Sequence, residues 1–527
     1  MSASGATAGP GERAHAPWRP VGNPWIIVLV ATMAPFMEIL DGTIVNVSLP
    51  HIAGSMSVSP DEATWVLTSY LVANGIVLPI SGWLSDVFGR RRYFLSCIAM
   101  FTLCSFLCGI AGSLWQLILF RLLQGMFGGG LQPCQQSIVL DTFPASQRGK
   151  AFAMTAIATV AAPVLGPTLG GLITDSFSWR WVFLINVPIG IIAFWASAIY
   201  VEDPPWARAR TRVVDYIGLS LVALGFGALQ VFLDRGADLD WFGSGFIIAF
   251  ASLAFIALVS AVLWLLYTDH PVVNIRLLKN RNFGLGCGMM GCMAAIMYAG
   301  SVMVPQMAQL VLGYDALWAG LLLSPGAVAM ILCIPVVGKL MGFVSTRLLV
   351  AFGFVLLSTG MYLAHLWPPN VDFITLVEVR SLQTAGLAFL FVPISTLAYL
   401  TLPKEASSDG AALYTMFRNV AGSIGISVVT TLVSNAKQNH LFYLSQHLSP
   451  LDAGYRFELP RIVAGMAHLG QSASAAAGYF YQQLQSQAVM QGYNDVFFLC
   501  SLAALAMVPL CWFFTAGRAA GGENIGH

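Results

Sequence analysis

Charge is what this sequence has least of. Lys, Arg, Asp and Glu make up 9% of its 527 residues, while 57% are hydrophobic. A soluble globular chain carries about 25% charged residues. The polar groups here are too few to wet the surface of a 56.5 kDa globule, so lipid must be the solvent for much of the chain. The net charge of +1 removes any electrostatic case for nucleic-acid binding. The sequence has no HExxH metal helix, no Walker-type phosphate loop and no soluble segment that could hold a catalytic centre. A metalloenzyme, a sensor and an intramembrane enzyme are therefore disfavoured, no cofactor is expected, and ATP is not the energy source unless another subunit brings it. Nine cysteines are present without metal-ligand spacing, and most, such as Cys97, Cys104, Cys108, Cys292 and Cys333, sit in apolar runs as small apolar side chains.

What the chain has instead is apolar length. A membrane helix needs about 20 apolar residues, and roughly fourteen such windows can be drawn. They lie near 25–49, 63–84, 93–112, 115–140, 150–174, 181–200, 215–233, 244–267, 283–312, 316–340, 347–366, 373–401, 410–434 and 496–515. The first begins after a Gly/Ala/Pro-rich tail and runs on through Pro50 with no early small-residue cleavage site, which argues against a cleaved signal peptide. Lys and Arg cluster after even spans: Arg90, Arg91 and Arg92; Arg148 and Lys150; Arg208, Arg210 and Arg212; Arg276, Lys279 and Arg281. Loops after odd spans are acidic, with Asp61, Glu62, Asp234, Asp238, Asp240, Asp315 and Asp372. The positive-inside rule then places even loops and both termini in the cytoplasm, and a bacterial inner membrane is expected.

The chain also repeats. Arg121-x-x-Gln124-Gly125 is echoed by Arg380-x-x-Gln383 with Gly386 nearby, Gly82 by Gly338, and Gly166 and Gly170 by Gly422 and Gly425, at separations of 255–259 residues. The expected organisation is an all-α polytopic protein of two six-helix halves. It comprises a tail at 1–23, a first half at 24–200, an inserted helix pair with linkers at 201–280, a second half at 281–515 and a tail at 516–527. Parallel halves with a substrate site between them near the midplane are a known transporter architecture.

Three motifs give this outline a family. The loop Gly82-Trp83-Leu84-Ser85-Asp86-Val87-Phe88-Gly89-Arg90-Arg91-Arg92 is at least a basic loop with a glycine turn, and its spacing resembles the hallmark loop of the major facilitator superfamily. Span five carries Ala162-Pro163-Val164-Leu165-Gly166-Pro167-Thr168-Leu169-Gly170-Gly171. Small residues four apart permit close helix packing, and Pro167 permits a bend. The Gly-Pro-x-x-Gly-Gly core is similar to the antiporter motif of that superfamily's drug/proton exporters, with alanine at 162 where the family usually has glycine. Span one reads Leu40-Asp41-Gly42-Thr43-Ile44-Val45-Asn46-Val47-Ser48-Leu49-Pro50, which resembles the first-helix signature of the fourteen-span drug:proton antiporters. With Trp179-Arg180-Trp181-Val182-Phe183-Leu184-Ile185-Asn186-Val187-Pro188 and Leu233-Asp234-Arg235-Gly236, the resemblance is to the EmrB type and runs nearly end to end. It implies a proton-coupled antiporter exporting lipophilic drugs and toxic small molecules. An exporter of fatty acids, lipids or a specific metabolite is the alternative. The resemblance also implies Asp41 as the protonation site, Arg121 as its functional partner, and work with a periplasmic adaptor linked to an outer-membrane channel.

An ionised acid in the hydrocarbon core costs several kcal/mol and is kept for a reason. Glu38 and Asp41 are three apart, hence on one helix face, and two carboxylates so placed in a low-dielectric site titrate as a coupled pair. Either could instead be a structural hydrogen-bonding group, and EmrB-type chains often have an uncharged residue where Glu38 stands. Arg121, Arg380 and Arg418 are the Lys/Arg residues well inside spans, and Arg121 could face either acid. Gln124, Gln132, Gln135 and Gln136 give span four a polar face. The repeat partner of span one, from Met293 to Pro305, has no acid, so the proton machinery is expected in the first half. Candidate cavity residues are Phe36, Met37, Asn46, Gln132, Gln136, Met289, Met293, Tyr298, Gln306, Gln383 and Arg418. The long segment 435–495 is expected to be a periplasmic loop with a helix-prone part around Tyr479–Gln487, either lying on the bilayer or docking an adaptor.

Overall fold

The computed structural model describes residues 20–204, 214–403, 406–446, 456–457, 460–461, 463–464 and 473–515. Most of the two tails, Arg208, Arg210 and Arg212 lie outside the described residues. Among those described there is no strand, and the chain is a succession of helices. The first half comprises α1 (Pro24–Met56), a short α2 (Pro60–Ala63), α3 (Trp65–Phe88), α4 (Arg90–Gly109), α5 (Leu114–Gly128), α6 (Leu131–Thr142), α7 (Ala145–Ser176), α8 (Arg180–Leu184) and α9 (Asn186–Tyr200). The inserted pair is α10 (Tyr216–Arg235) and α11 (Gly245–Tyr267). The second half comprises α12 (Arg281–Leu310), α13 (Ala316–Leu321), α14 (Ser324–Leu340), α15 (Thr346–His365), α16 (Phe373–Ala398), α17 (Ser407–Gln446) and α18 (Ala473–Met507).

Helix ends fall where the sequence supplies caps. Asn23 accepts from the Trp25 N–H at 3.0 Å ahead of Pro24, and Ser113, Asp215, Asn280, Asp315 and Asp372 cap their helices in the same way. Lipid is the only solvent that fits the outer surface. On α11 alone Phe255, Ile256 and Leu263 are mostly exposed. With every span helical, backbone polar groups are satisfied internally, as hydrocarbon requires.

Twelve described helices are long and apolar enough to cross a membrane, against the fourteen windows drawn on the sequence. The two windows not among them, 115–140 and 150–174, are helical all the same. The first breaks at Gly129–Gly130 into α5 and α6 and carries Arg121 and five glutamines, and α7 contains several Gly, Thr and Pro residues. The polar residues of the first window, Arg121 and Gln124 on α5 and Gln132 on α6, are where the site lies.

The repeat is visible in the packing. α1 lies along α7 as α12 lies along α17, and α3 and α4 pack on α5 as α14 and α15 pack on α16. Close crossings explain the repeated glycines. A methyl on Gly170 would stand 2.7 Å from the Ile44 carbonyl oxygen, and one on Gly425 2.6 Å from Ala295 Cα.

The segment 435–495 is not a plain loop. Residues 435–446 continue α17 and residues 473–495 belong to α18, because the polar, helix-prone sequence simply extends the two spans. Residues 470–472 and most of 447–472 lie outside the described residues. At about 1.5 Å per residue, the 40 residues of α17 run about 60 Å, twice the ~30 Å of hydrocarbon. The two arms are joined where they leave the bundle, His440 Nε2 lying 2.7 Å from Asp495 Oδ2, and Asn494 ties the second arm to the end of α15 by donating to the Trp367 carbonyl at 3.0 Å.

Candidate functional site

The buried charge of the first half gathers around α1. Asp41 and Arg121 are both sealed from solvent at 0% side-chain exposure. Arg121 Nη1 donates to Asp41 Oδ2 at 2.5 Å and to Gln124 Oε1 at 3.0 Å, and Nε donates to the Val66 carbonyl at 3.2 Å. The guanidinium also lies 4.1 Å from the Tyr70 ring centroid. Asp41 Oδ1 accepts from Gln124 at 3.1 Å and from Asn186 at 2.7 Å. Asn186 reaches it because the chain breaks at Ile185 and restarts as α9. The carboxylate thus holds three donors from α5 and α9, the arrangement a buried ion pair needs to offset desolvation. Among the described residues, Arg121 Nη2 and Asn186 Oδ1 have no hydrogen-bond partner.

Three residues before Asp41, Glu38 has a separate set of partners. Asn74 Nδ2 donates to its Oε1 at 3.0 Å, and Gln132 Nε2 donates to Oε2 at 2.6 Å. Gln132 Oε1 in turn accepts from Arg418 on α17. Arg121 therefore serves Asp41 and not Glu38, while Glu38 faces the second half through Gln132.

The antiporter motif presses on this centre from behind. Gly166 and Gly170 set α7 against Thr43 and Ile44, two and three residues from Asp41. The basic-loop motif builds a different structure. Gly89 adopts φ +83°, which glycine allows at no steric cost, and ends α3. Arg90 is ion-paired with Asp141 at the end of α6, and its Nη2 donates to Ser407 and Ser408 of α17, each at 3.3 Å. Asp86 is buried beside it, and a Cβ on Gly82 would meet Ser408 O and Asp409 Cα at 3.0 Å. On the same face Arg148 donates to the Tyr399 carbonyl at 3.4 Å, and Tyr399 Oη donates to Gln136 at 2.9 Å. The two halves are closed against each other on the basic-loop face.

In the second half Arg380 repeats the Arg121 geometry, donating to Gln383 at 3.1 Å, but its other partner is the Ser301 hydroxyl at 3.1 Å. Among the described residues no carboxylate pairs with it. Gln383 donates to the Gly360 carbonyl. The remaining cavity candidates do not converge. Met37, Met289 and Met293 are sealed in apolar cores, Phe36 is half-buried, Asn46 and Gln306 are exposed, and Tyr298 packs against Gly422. Asn186, Asn74 and Asp141 escape sequence reasoning. A lone asparagine in the apolar run Phe183–Pro188 is a usable signal for the first, whereas nothing local marks Asn74 or Asp141 as partners of Glu38 and Arg90.

With the fold and this centre in place, comparison with known proteins is direct. The Major Facilitator Superfamily profile matches residues 31–426. The multidrug export protein EmrB of Escherichia coli is 34% identical over 95% of this chain and 98% of its own length. Its namesake from Haemophilus influenzae is 36% identical over 93% and 95%. The fatty acid resistance protein FarB of Neisseria gonorrhoeae is 34% identical over 92% and 95%. Among solved structures, the human organic anion transporter MFSD10 superposes with a TM-score of 0.58 at 12% identity, over 92% of this chain and 100% of that one, which is a likeness of fold. The chain belongs to the major facilitator superfamily and, within it, to the EmrB-type multidrug efflux pumps: a multi-pass membrane transporter, not an enzyme.

Proposed function

We propose that this transporter is a proton-coupled antiporter of the bacterial inner membrane, with both termini cytoplasmic, that exports lipophilic small molecules. The observation that carries the reading is the Asp41–Arg121 pair. It is a fully buried carboxylate whose charge is balanced by one arginine, in a half whose repeat gives the equivalent arginine Gln383 and Ser301 and, among the described residues, no carboxylate. Protonation of Asp41 would remove half of that pair and so bias the equilibrium between outward- and inward-facing arrangements. The proton gradient is then the energy source. The test is transport of a panel of lipophilic cations, anions and uncouplers into or out of proteoliposomes under an imposed ΔpH. Asp41→Asn is expected to insert and fold yet lose ΔpH-driven transport, and undiminished transport by that variant would sink the proposal.

The arms of α17 and α18 leave the face opposite the basic loops and expose Phe442, Tyr443, Tyr479 and Tyr481. Exposed aromatics on rigid helices suit protein recognition. They support a tripartite arrangement in which a periplasmic adaptor docks on the arms and leads to an outer-membrane channel. The named activity of FarB favours one second reading, export of fatty acids or related amphiphiles by the same exchange, and the acidic members of the substrate panel decide between the two.

A further inference from the structure

Outside the Asp41 pair, one chain of buried polar groups joins the halves at the level of the carboxylates. It runs from Asn74 to Glu38 on α1, to Gln132 on α6 and to Arg418 on α17. Each member is at least nine-tenths buried. Arg418 has no carboxylate partner of its own among the described residues, and its only other bond is from Nε to Asn419 at 3.3 Å. The residue in the repeat position is Ala162, at the 256-residue separation that relates Gly166 to Gly422 on the same two helices, so the folding of a half does not by itself demand a cation there. A buried arginine held only by amides is costly and needs an explanation.

Hydrogen-bond chemistry supplies one. Ionised Glu38 only accepts, so it takes the amide N–H of Gln132 and thereby turns Gln132 Oε1 toward Arg418. A guanidinium only donates, so this is the single amide orientation that satisfies both neighbours. Protonated at Oε2, Glu38 becomes a donor. Gln132 must then turn its oxygen to the acid and its NH₂ to Arg418, where donor meets donor, and the charge attraction between Glu38 and Arg418 is lost with it. We propose that Gln132 and Arg418 are positioning residues that report the charge of Glu38 to the second half, holding the halves closed on the basic-loop face while Glu38 is ionised and releasing them when it is protonated. This rests on the antiport reading and gives Glu38 a part in it separate from that of Asp41. The charged and titratable groups around Glu38 are Asp41 on its own helix, Tyr70 on α3, Tyr298 on α12 and Arg418 on α17, with Arg121 acting on Tyr70 from α5.

The test separates Glu38 from Asp41 by working in an Asp41→Asn background, with full-length protein in liposomes. Spin labels on unnatural amino acids replace Phe88 and Phe343, both exposed at the basic-loop ends of the two halves, and their separation is read in alkaline and acidic buffer. Asp41→Asn alone is expected to show a longer separation in acid. Adding Glu38→Gln or Arg418→Gln is expected to abolish that shift, with no further change when both are present, and Arg418→Lys, which can still donate to Gln132, is expected to restore part of it. Should Arg418→Gln fail to fold, Gln132→Leu is expected to show the same loss. A pH shift of undiminished size in Arg418→Gln or Gln132→Leu, or none in Asp41→Asn alone, overturns the proposal. Transport by Asp41→Asn under ΔpH overturns the antiport reading instead, so the two failures are distinguishable.

Discussion

At the scale of single residues the centre is decided by which donors reach which oxygens. Asp41 and Glu38 share a helix face, yet one takes an arginine, a glutamine and an asparagine, and the other takes two amides. Arg121 is held by a carboxylate, a backbone carbonyl, the Gln124 amide oxygen and the Tyr70 ring. Removing one partner of such a pair leaves an uncompensated buried charge and costs about 3–5 kcal/mol, while removing both charges together costs less. Arg121→Gln is therefore expected to lower the thermal midpoint of the purified protein in detergent by several degrees, followed by tryptophan fluorescence. Asp41→Asn combined with Arg121→Gln is expected to recover much of that loss. Transport should stay absent in both. A double variant no more stable than Arg121→Gln would show that the pair is not what holds Arg121 in the fold.

At the scale of elements, the parts written as local pattern could be read from the sequence. The caps, the apolar windows, the repeated glycines and the Arg121/Arg380 correspondence all concern neighbours along the chain or a fixed separation, and the helices follow them. What could not be read depends on which helix faces which. The choice of Asp41 over Glu38 by Arg121 depends on where α5 crosses α1. The partnership of Arg90 with Asp141, Ser407 and Ser408 joins residues from three helices, and no spacing encodes it. α5 and α6 show the same division: Trp115, Leu119 and Met126 are exposed on the outside of α5, while Arg121, Gln124 and Gln132 are buried toward the centre, and the pattern alone does not say which face meets α1. The α1–α7 crossing ties the two kinds of information together, since Gly170 is local sequence and its contact with Ile44 is tertiary. Gly170→Leu would force α7 away from the residues that follow Asp41, and overpacking a well-packed site costs about 1–3 kcal/mol. The expected result is a folded, membrane-inserted protein with strongly reduced ΔpH-driven transport, while Leu172→Ala, on a lipid-exposed position two residues on, leaves transport near wild type. Equal transport by both variants would remove the crossing from the mechanism.

For the whole molecule, the asymmetry between halves that the repeat makes visible has a functional counterpart. Both halves keep an arginine bonded to a glutamine three residues on, but among the described residues only the arginine of the first half is paired with an acid. The second contributes Arg418 and the ends of α16 and α17 that close the basic-loop face. Titration in one half and closure against the other is what a rocking transporter requires, provided some contact carries the state across. The second half has one more specialisation, the long arms of α17 and α18, joined where they leave the bundle by His440 with Asp495, with Asn494 tying α18 to Trp367 past the end of α15. These arms add nothing to the Asp41 centre, which lies in the other half. Their loss should therefore separate two activities. Replacing 473–486 by a short flexible linker, with the His440–Asp495 contact retained, is expected to leave ΔpH-driven transport in proteoliposomes within about twofold of wild type, since surface changes away from packed features perturb little. Resistance in intact cells is expected to fall to that of the Asp41→Asn variant if the arms are the docking surface proposed above. Transport and resistance falling together would instead make the arms part of the transport cycle and remove them as a docking surface.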